Sequence, residues 1–216
     1  MLKALLFFLI LGNNSDNGYS QNPELDEMLG ESKQTECLSD SSSFIPDVDT
    51  ASIGYKLFNA AKKYRGVPYA WGGRSKKKLD CMGLIFLAYS NVTGKDWKKL
   101  SVYPSRLVKS GKLGHPVEGL DGVIADNIQN LTNRMRVGDI VYLLTPFKII
   151  EDDSLAAIDS TGYWPWHMGI YAGHSNILHA NPFANEETPA EVTIEPLEKL
   201  LQRTNTSAIF VTRLRN

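Results

Sequence analysis

A chain of 216 residues has the length of one domain with short extensions, and its 43% hydrophobic and 22% charged residues are the balance of a globular protein that buries its own core. A formal net charge of -1 argues against nucleic acid or an anionic membrane surface as a partner recruited by charge. Two cysteines, Cys37 in a polar stretch and Cys81 beside an apolar one, argue against a disulfide scaffold and leave Cys81 as a free thiol.

The chain begins Met1-Leu2-Lys3 followed by the apolar run ALLFFLIL and then polar residues, which is the n-region and h-region pattern of a secretory signal peptide. The alternative is a first strand or helix of the fold. The run is too short to span a bilayer, and no Cys follows it to carry a lipid, so residues 1–20 are expected to be removed, leaving no stable membrane anchor. Export to the periplasm, cell envelope or extracellular space follows. Residues 21–48, rich in Ser, Asp, Glu and Asn, are expected to be a flexible lead-in, and residues 49–216 the folded domain.

From Asp49 to Tyr64, Ile53, Leu57, Ala60 or Ala61 and Tyr64 recur at helical spacing, with Asp49 or Thr50 as cap and Gly66 as terminator. Gly66 to Lys78 is a loop holding Tyr69 and Trp71, whose adjacent Gly72 and Gly73 permit close approach of another segment or a ligand. Asp80 is a strong N-cap for a helix over Cys81 to about Ser90, with Leu84, Ile85, Leu87 and Ala88 buried. Cys81 then sits at the positive end of the helix dipole, among unpaired N–H groups that favour a thiolate, while the capping carboxylate is turned away from the sulfur. Fast alkylation by iodoacetamide near neutral pH is the expected sign of such a thiolate. Equally, Cys81 can be read as a small buried hydrophobe.

Farther on, Pro104–Lys109 is expected to be helical, His115 to lie in a Gly-Pro loop, and a helix to form near Asp126–Asn133. Ile140–Leu144 is continuously apolar, as in a strand buried on both faces, and follows a turn in which Asp139 bonds local backbone. Pro146–Trp166 reads as a long connection. His167–Ala172 and Ile177–Ala180 form a hairpin with His174 at its tip, followed by a strand at Val192–Glu195, a helix at Pro196–Arg203 and a last strand at Ala208–Leu214. Helices first and an antiparallel meander after them make an α+β arrangement.

A nucleophilic thiol needs a base. If Gly169 faces Ile177 in the hairpin, His167 lies across from His179 on the same face, so that one imidazole can take the thiol proton while the other fixes its tautomer. A slip of one residue would separate them, and ordinary strand histidines are the alternative reading.

The blocks Y-R-G-V-P-Y-A-W-G-G, D-C-M-G-L, G-D-I-V, H-M-G-I-Y-A-G and L-H-A, in this order from about residue 53 to the end, resemble the NlpC family of bacterial cell-wall cysteine peptidases. The resemblance implies a papain-like α+β fold, with the nucleophile helix packed on a small antiparallel sheet. It further implies that Cys81 is the nucleophile, His167 the base, His179 the third polar residue, and Tyr69 an oxyanion donor beside the sulfur. A loop aromatic packed on Trp71 is the alternative for Tyr69. The implied activity is hydrolysis of peptidoglycan stem peptides at the γ-D-glutamyl–diamino acid bond, through a thioester, by a monomer without cofactor or metal.

Met82 stands where the family usually has Ser, and the link before His167 is longer than usual. Trp71, Asp80, Met82, Trp164 and Trp166 are therefore the candidate cleft residues. Arg74, Lys76, Lys77 and Lys78 could attract carboxylates, although a solvated loop is the plainer reading. Two other readings stay open: an amidase or acyltransferase using the same thiol and imidazole, and a non-catalytic zinc module held by Cys81, His167 and His179.

Overall fold

The computed structural model describes residues 49–148, 150–184 and 189–215. The expected signal peptide, the lead-in of residues 21–48 and Cys37 lie outside them. Helix α1 (Ile53–Lys62) is capped by Ser52, whose Oγ accepts from the Tyr55 N–H at 3.2 Å and donates to the Asp49 carbonyl at 2.7 Å. The expected cap, Asp49 or Thr50, is thus displaced by a serine two or three positions on, and Asp49 supports that serine instead. Leu57, Ala60, Ala61 and Tyr64 are buried as their spacing predicts.

The loop after α1 leads into a two-stranded ribbon, β1 (Arg74–Ser75) and β2 (Lys78–Leu79), that delivers the chain to α2 (Cys81–Thr93). Asp80 caps α2 through the Gly83 N–H at 2.5 Å, and the helix runs past Ser90 to Gly94, which ends it in the left-handed conformation at φ 68°. Next come α3 (Pro104–Lys109), with the predicted bounds, and β3 (His115–Ile124). After these lie α4 (Ile128–Thr132), capped by Asn127, and β4 (Ile140–Thr145). His115 therefore opens a strand, not a Gly-Pro loop. This strand pairs on one side with irregular register and buries only Leu120 fully, so its Gly and Pro positions read as punctuation in the sequence.

The expected long connection before His167 is itself largely strand: β5 (Ala156–Ile158) pairs with the start of β6 (Thr161–Gly173). The chain continues through β7 (Asn176–Ala180), β8 (Val192–Pro196), α5 (Leu197–Thr204) and β9 (Ala208–Arg213). The sheet order is β3-β9-β4-β6-β7-β8, with β5 on β6, and every pairing is antiparallel. The expected meander is broken by β9, which inserts between β3 and β4. Ala208 to Val211 are buried on both faces, a pattern that belongs inside a sheet rather than at its edge.

Strand β4 shows how the layers are arranged. Ile140, Tyr142 and Leu144 join Leu57 of α1 and Leu84, Ile85 and Phe86 of α2 in one core. Val141 and Leu143 join Leu131 of α4 and Leu197, Leu200 and Leu201 of α5 in another. The unbroken apolar run Ile140–Leu144 thus anchors helices on both faces of the sheet, and each fully buried side chain contributes roughly 1.5–3 kcal/mol. Asp139 bonds the Arg136 N–H at 2.8 Å, as expected, and also takes Nε and Nη2 of Arg213 at 2.8 and 2.7 Å, tying β9 to the start of β4.

Candidate active site

Cys81 is the first residue of α2 and remains partly exposed. Three backbone N–H groups, those of Met168, Met82 and Cys81 itself, favour its ionised form. They do not prevail. Burial first, and the Asp80 charge second, push the thiol up to about 12. Burial and the Asp80 charge thus act against the helix-start thiolate expected from the sequence and favour the protonated thiol, while the N–H groups pull the other way. Asp80 does cap the helix, and it also accepts from the Gly72 N–H at 3.1 Å and lies 4.0 Å from Arg74 Nη2. Burial nevertheless raises its own pKa, with those N–H groups and Arg74 pulling the other way, and its charge still reaches the sulfur.

The backbone around this helix start is tightly interlocked. A Cβ on Gly83 would lie 2.0 Å from the Gly73 carbonyl oxygen, and one on Gly73 would lie 2.7 and 2.8 Å from the Ala70 and Lys78 carbonyl oxygens, so Gly83 admits the loop to the first turn of α2 and Gly73 admits its own loop and β2. Tyr69 is held alongside by its N–H to the Ala190 carbonyl at 2.8 Å. Burial, then the charges at Cys81 and Asp80, raise its pKa above that of an ordinary phenol, so it stays a neutral O–H donor close enough to the sulfur to feel its ionisation.

The histidines come from β6 and β7. The ladder pairs Ile170 with Leu178 and Tyr171 with Ile177, so Ile177 faces Tyr171 and not Gly169, a register two residues from the expected one. A shift of two preserves the face. His167 and His179 become diagonal neighbours, with His167 Nε2 and His179 Nδ1 2.8 Å apart and the rings edge to face at 86°. The β6–β7 ladder ends at Ile170–Leu178, and one residue before His167 the β4–β6 register slips, leaving Trp166 as the extra residue of a bulge. Such bulges re-aim the side chains beside them. The Met168 backbone, next to His167, favours the ionised form of the Cys81 sulfur, which relates this stretch of β6 to the thiol.

Behind the histidines stands a pair that sequence reasoning did not single out. His179 Nε2 is 2.7 Å from Glu195 Oε1, and Arg203 of α5 grips both carboxylate oxygens at 3.1 and 2.7 Å. Burial raises the Glu195 pKa, but the hydrogen bonds from His179 and Arg203 outweigh it and hold the carboxyl below its usual value. Burial lowers His179, against the pull of Glu195, and lowers His167 well below 6.5, helped by His179 and Arg203. Both imidazoles are neutral at rest. The sequence signal for Glu195 is its place on a strand that pairs with the His179 strand: Thr193 opposes His179, which puts Glu195 on the diagonal.

The other candidates are scattered around this centre. Trp166 stacks on His167 with centroids 5.2 Å apart and is fixed by its Nε1–H to Thr206 Oγ1 at 3.0 Å. Trp164 donates to the Asp152 carbonyl at 3.1 Å, Met82 is partly exposed against the core, and Trp71 is 83% exposed. Arg74 lies over the rings of Phe86 and Trp97, whereas Lys76, Lys77 and Lys78 are solvated. Among the described residues no cluster of three or more His, Cys, Asp or Glu is arranged to hold a metal ion. Both nitrogens of His179 are already engaged, which removes it as the third ligand of a zinc site. No helix of the described residues is long and apolar enough to cross a membrane.

Comparison with known proteins agrees with this geometry. The sequence model of the NlpC/P60 family matches residues 66–199. A probable endopeptidase of Corynebacterium glutamicum is 29% identical over 139 residues, 64% of this chain and 47% of that protein. The chain spans about half the length of the curated relatives it matches. Among solved structures, an N-acetylmuramoyl-L-alanine amidase from Bacteroides uniformis aligns at 13% identity and TM-score 0.50, covering 76% of this chain and 99% of that one. The NlpC/p60 domain of the peptidoglycan hydrolase SagA aligns at 19% identity and TM-score 0.43, covering 74% and 98%. The α+β, papain-like architecture expected from the sequence is the one found.

Proposed function

Because the chain belongs to the NlpC/P60 family, whose model covers residues 66–199, we propose that it is an exported cysteine endopeptidase of peptidoglycan that cuts stem peptides at the γ-D-glutamyl–diamino acid bond. What supports this reading is a helix-start thiol whose ionised form the Met168 backbone favours, together with the adjacent His167, which is hydrogen-bonded through Nε2 to His179. Export is supported by the apolar run that follows Lys3.

In this mechanism His167 is the general base. The Cys81 thiol and His167 are both uncharged at rest, so the proton passes to His167 Nδ1 as the sulfur attacks the amide carbon. The developing oxyanion is met by the Cys81 N–H and the Tyr69 hydroxyl. The His167 imidazolium then returns its proton to the leaving amine, and water, deprotonated by His167, hydrolyses the thioester and frees the thiol. The Trp166 ring stacked on His167 limits rotation of the imidazole, and in this reading Met82 and the exposed Trp71 line the substrate approach.

An amidase cutting between muramic acid and the peptide would use the same attack, so the products decide. Purified muropeptides incubated with the protein should yield shortened stem peptides by mass spectrometry, with a new free amine on the diamino acid, and Cys81→Ala should yield none. Release of intact stem peptide would turn the assignment to an amidase, and intact substrate would remove the hydrolase reading.

A further inference from the structure

Behind the thiol and imidazole, four side chains are linked in series: His167 to His179 at 2.8 Å, His179 to Glu195 at 2.7 Å, and Glu195 to Arg203 at 2.7 and 3.1 Å. The chain of contacts has one consistent assignment of protons. Arg203 has N–H donors only, and both oxygens of Glu195 accept from it, so the carboxylate is ionised and can only accept from His179. His179 must then carry its proton on Nε2. A neutral imidazole has one N–H, so His179 Nδ1 is a bare acceptor, and the neighbouring His167 Nε2 must donate to it. His167 Nδ1 is thereby left without a proton, and the hydrogen bond found for this ring among the described residues is the one at Nε2.

We propose that Glu195, clamped by Arg203, is a positioning residue that sets the tautomers of both imidazoles and so keeps His167 Nδ1 unprotonated as the acceptor for the Cys81 proton. Glu195 touches neither sulfur nor substrate and acts through His179. Arg203 is itself tethered, its Nη2 reaching Asn181 Oδ1 at 3.3 Å while the guanidinium lies over Phe183 at 5.6 Å. The clamp thus joins α5 to β8 and keeps the carboxylate charged where a lone buried carboxyl would take up a proton. A glutamine at 195 lacks this one-way character. Its amide can donate to His179 Nε2, which reverses both tautomers with the rings in place and puts a proton on His167 Nδ1, where it blocks base catalysis.

The proposal rests on the thiol-imidazole hydrolase reading for its rate effect, but its tautomers are read without turnover. In long-range 1H–15N NMR spectra of the full chain labelled with 15N-histidine, near neutral pH, both His167 and His179 should be Nε2–H tautomers. Glu195→Gln should bring up the Nδ1–H form of His167 and lower kcat on muropeptides about 10- to 100-fold with little change in KM, as when the carboxylate behind a metal-bound imidazole is lost. Glu195→Asp, still an acceptor only, should keep the wild-type tautomers and recover much of the rate. An Nδ1–H signal from His167 in the wild type overturns the proposal and needs no variant to fold. Unchanged tautomers in Glu195→Gln overturn it whatever the rate. Wild-type protein with the expected tautomers and no hydrolysis would instead leave the positioning role standing and refute the proposed function.

Discussion

At Cys81 the N–H groups of a helix start compete with burial and a neighbouring carboxylate, and burial wins: the thiol is pushed up to about 12. His167 is driven the opposite way by its own burial. A neutral resting pair means that in the proposed mechanism charge appears only as the reaction proceeds, which puts the burden of stabilisation on the donors around the tetrahedral oxyanion. Tyr69 is suited to that part because burial above all keeps its hydroxyl protonated, with the Asp80 charge, and that of the sulfur once ionised, acting the same way. Tyr69→Phe should lower kcat on the order of 100-fold while leaving KM nearly unchanged, since the hydroxyl meets an oxygen that becomes negative only in the transition state. Steady-state kinetics on a muropeptide decide it, and a defect confined to KM would make Tyr69 a binding residue. The helix start at Cys81 and the pairing of His167 with His179 were legible in the sequence because each lies in a short motif. The protonation state of the thiol was not, because burial depends on what the fold places around the sulfur.

At the level of elements, the start of α2 depends on two glycines meeting backbone to backbone. An alanine in a helix interior ordinarily stabilises by about 1 kcal/mol relative to glycine. At Gly83 the sign should reverse, because the added Cβ would sit 2.0 Å from the Gly73 carbonyl oxygen, a backbone atom with no freedom to step aside. Gly83→Ala should lose about 1–3 kcal/mol, the range for overpacking, and should displace the thiol enough to depress activity further than the stability loss explains. Urea unfolding measures the first effect, and an unchanged or higher midpoint would mean that the loop yields. Elements defined by local pattern were read correctly: α3 from Pro104, α2 from its Asp80 cap, β4 from its apolar run. Those defined by distant partners were missed. The first half of β6, although it pairs with β5 next to it in the chain, was hidden by Pro165 beside a bulge; strand β3 owes its existence to β9, some ninety residues away. The same cause concealed Glu195 and Arg203, which meet His179 only once β8 has paired with β7 and α5 has folded back over it.

For the whole molecule, the site couples to stability through its protons. His167 and His179 are buried as neutral rings with folded-state pKa values below 6.5, whereas in the unfolded chain both titrate near that value. Groups depressed in this way leave stability complete above about pH 6.5 and withdraw it as the pH falls toward the folded values, because there the unfolded chain binds protons that the folded one refuses. Each such group contributes a slope of at most about 1.4 kcal/mol per pH unit. Glu195, also depressed, acts in the same direction at lower pH, its contribution fading below the ordinary value of 4.5. Asp80 opposes them: its raised pKa means that acid relieves the cost of its buried charge, but only near and above 3.8. Between pH 7 and 5 the histidines dominate, so the melting temperature should fall steadily across that window. Replacing both by glutamine, which carries no titrating proton, should flatten the profile there even if it lowers stability throughout. Thermal melts at half-unit steps provide the comparison. An equally steep decline in the double variant would place the acid sensitivity elsewhere in the fold and show that the imidazoles are held neutral at no cost to the folded state.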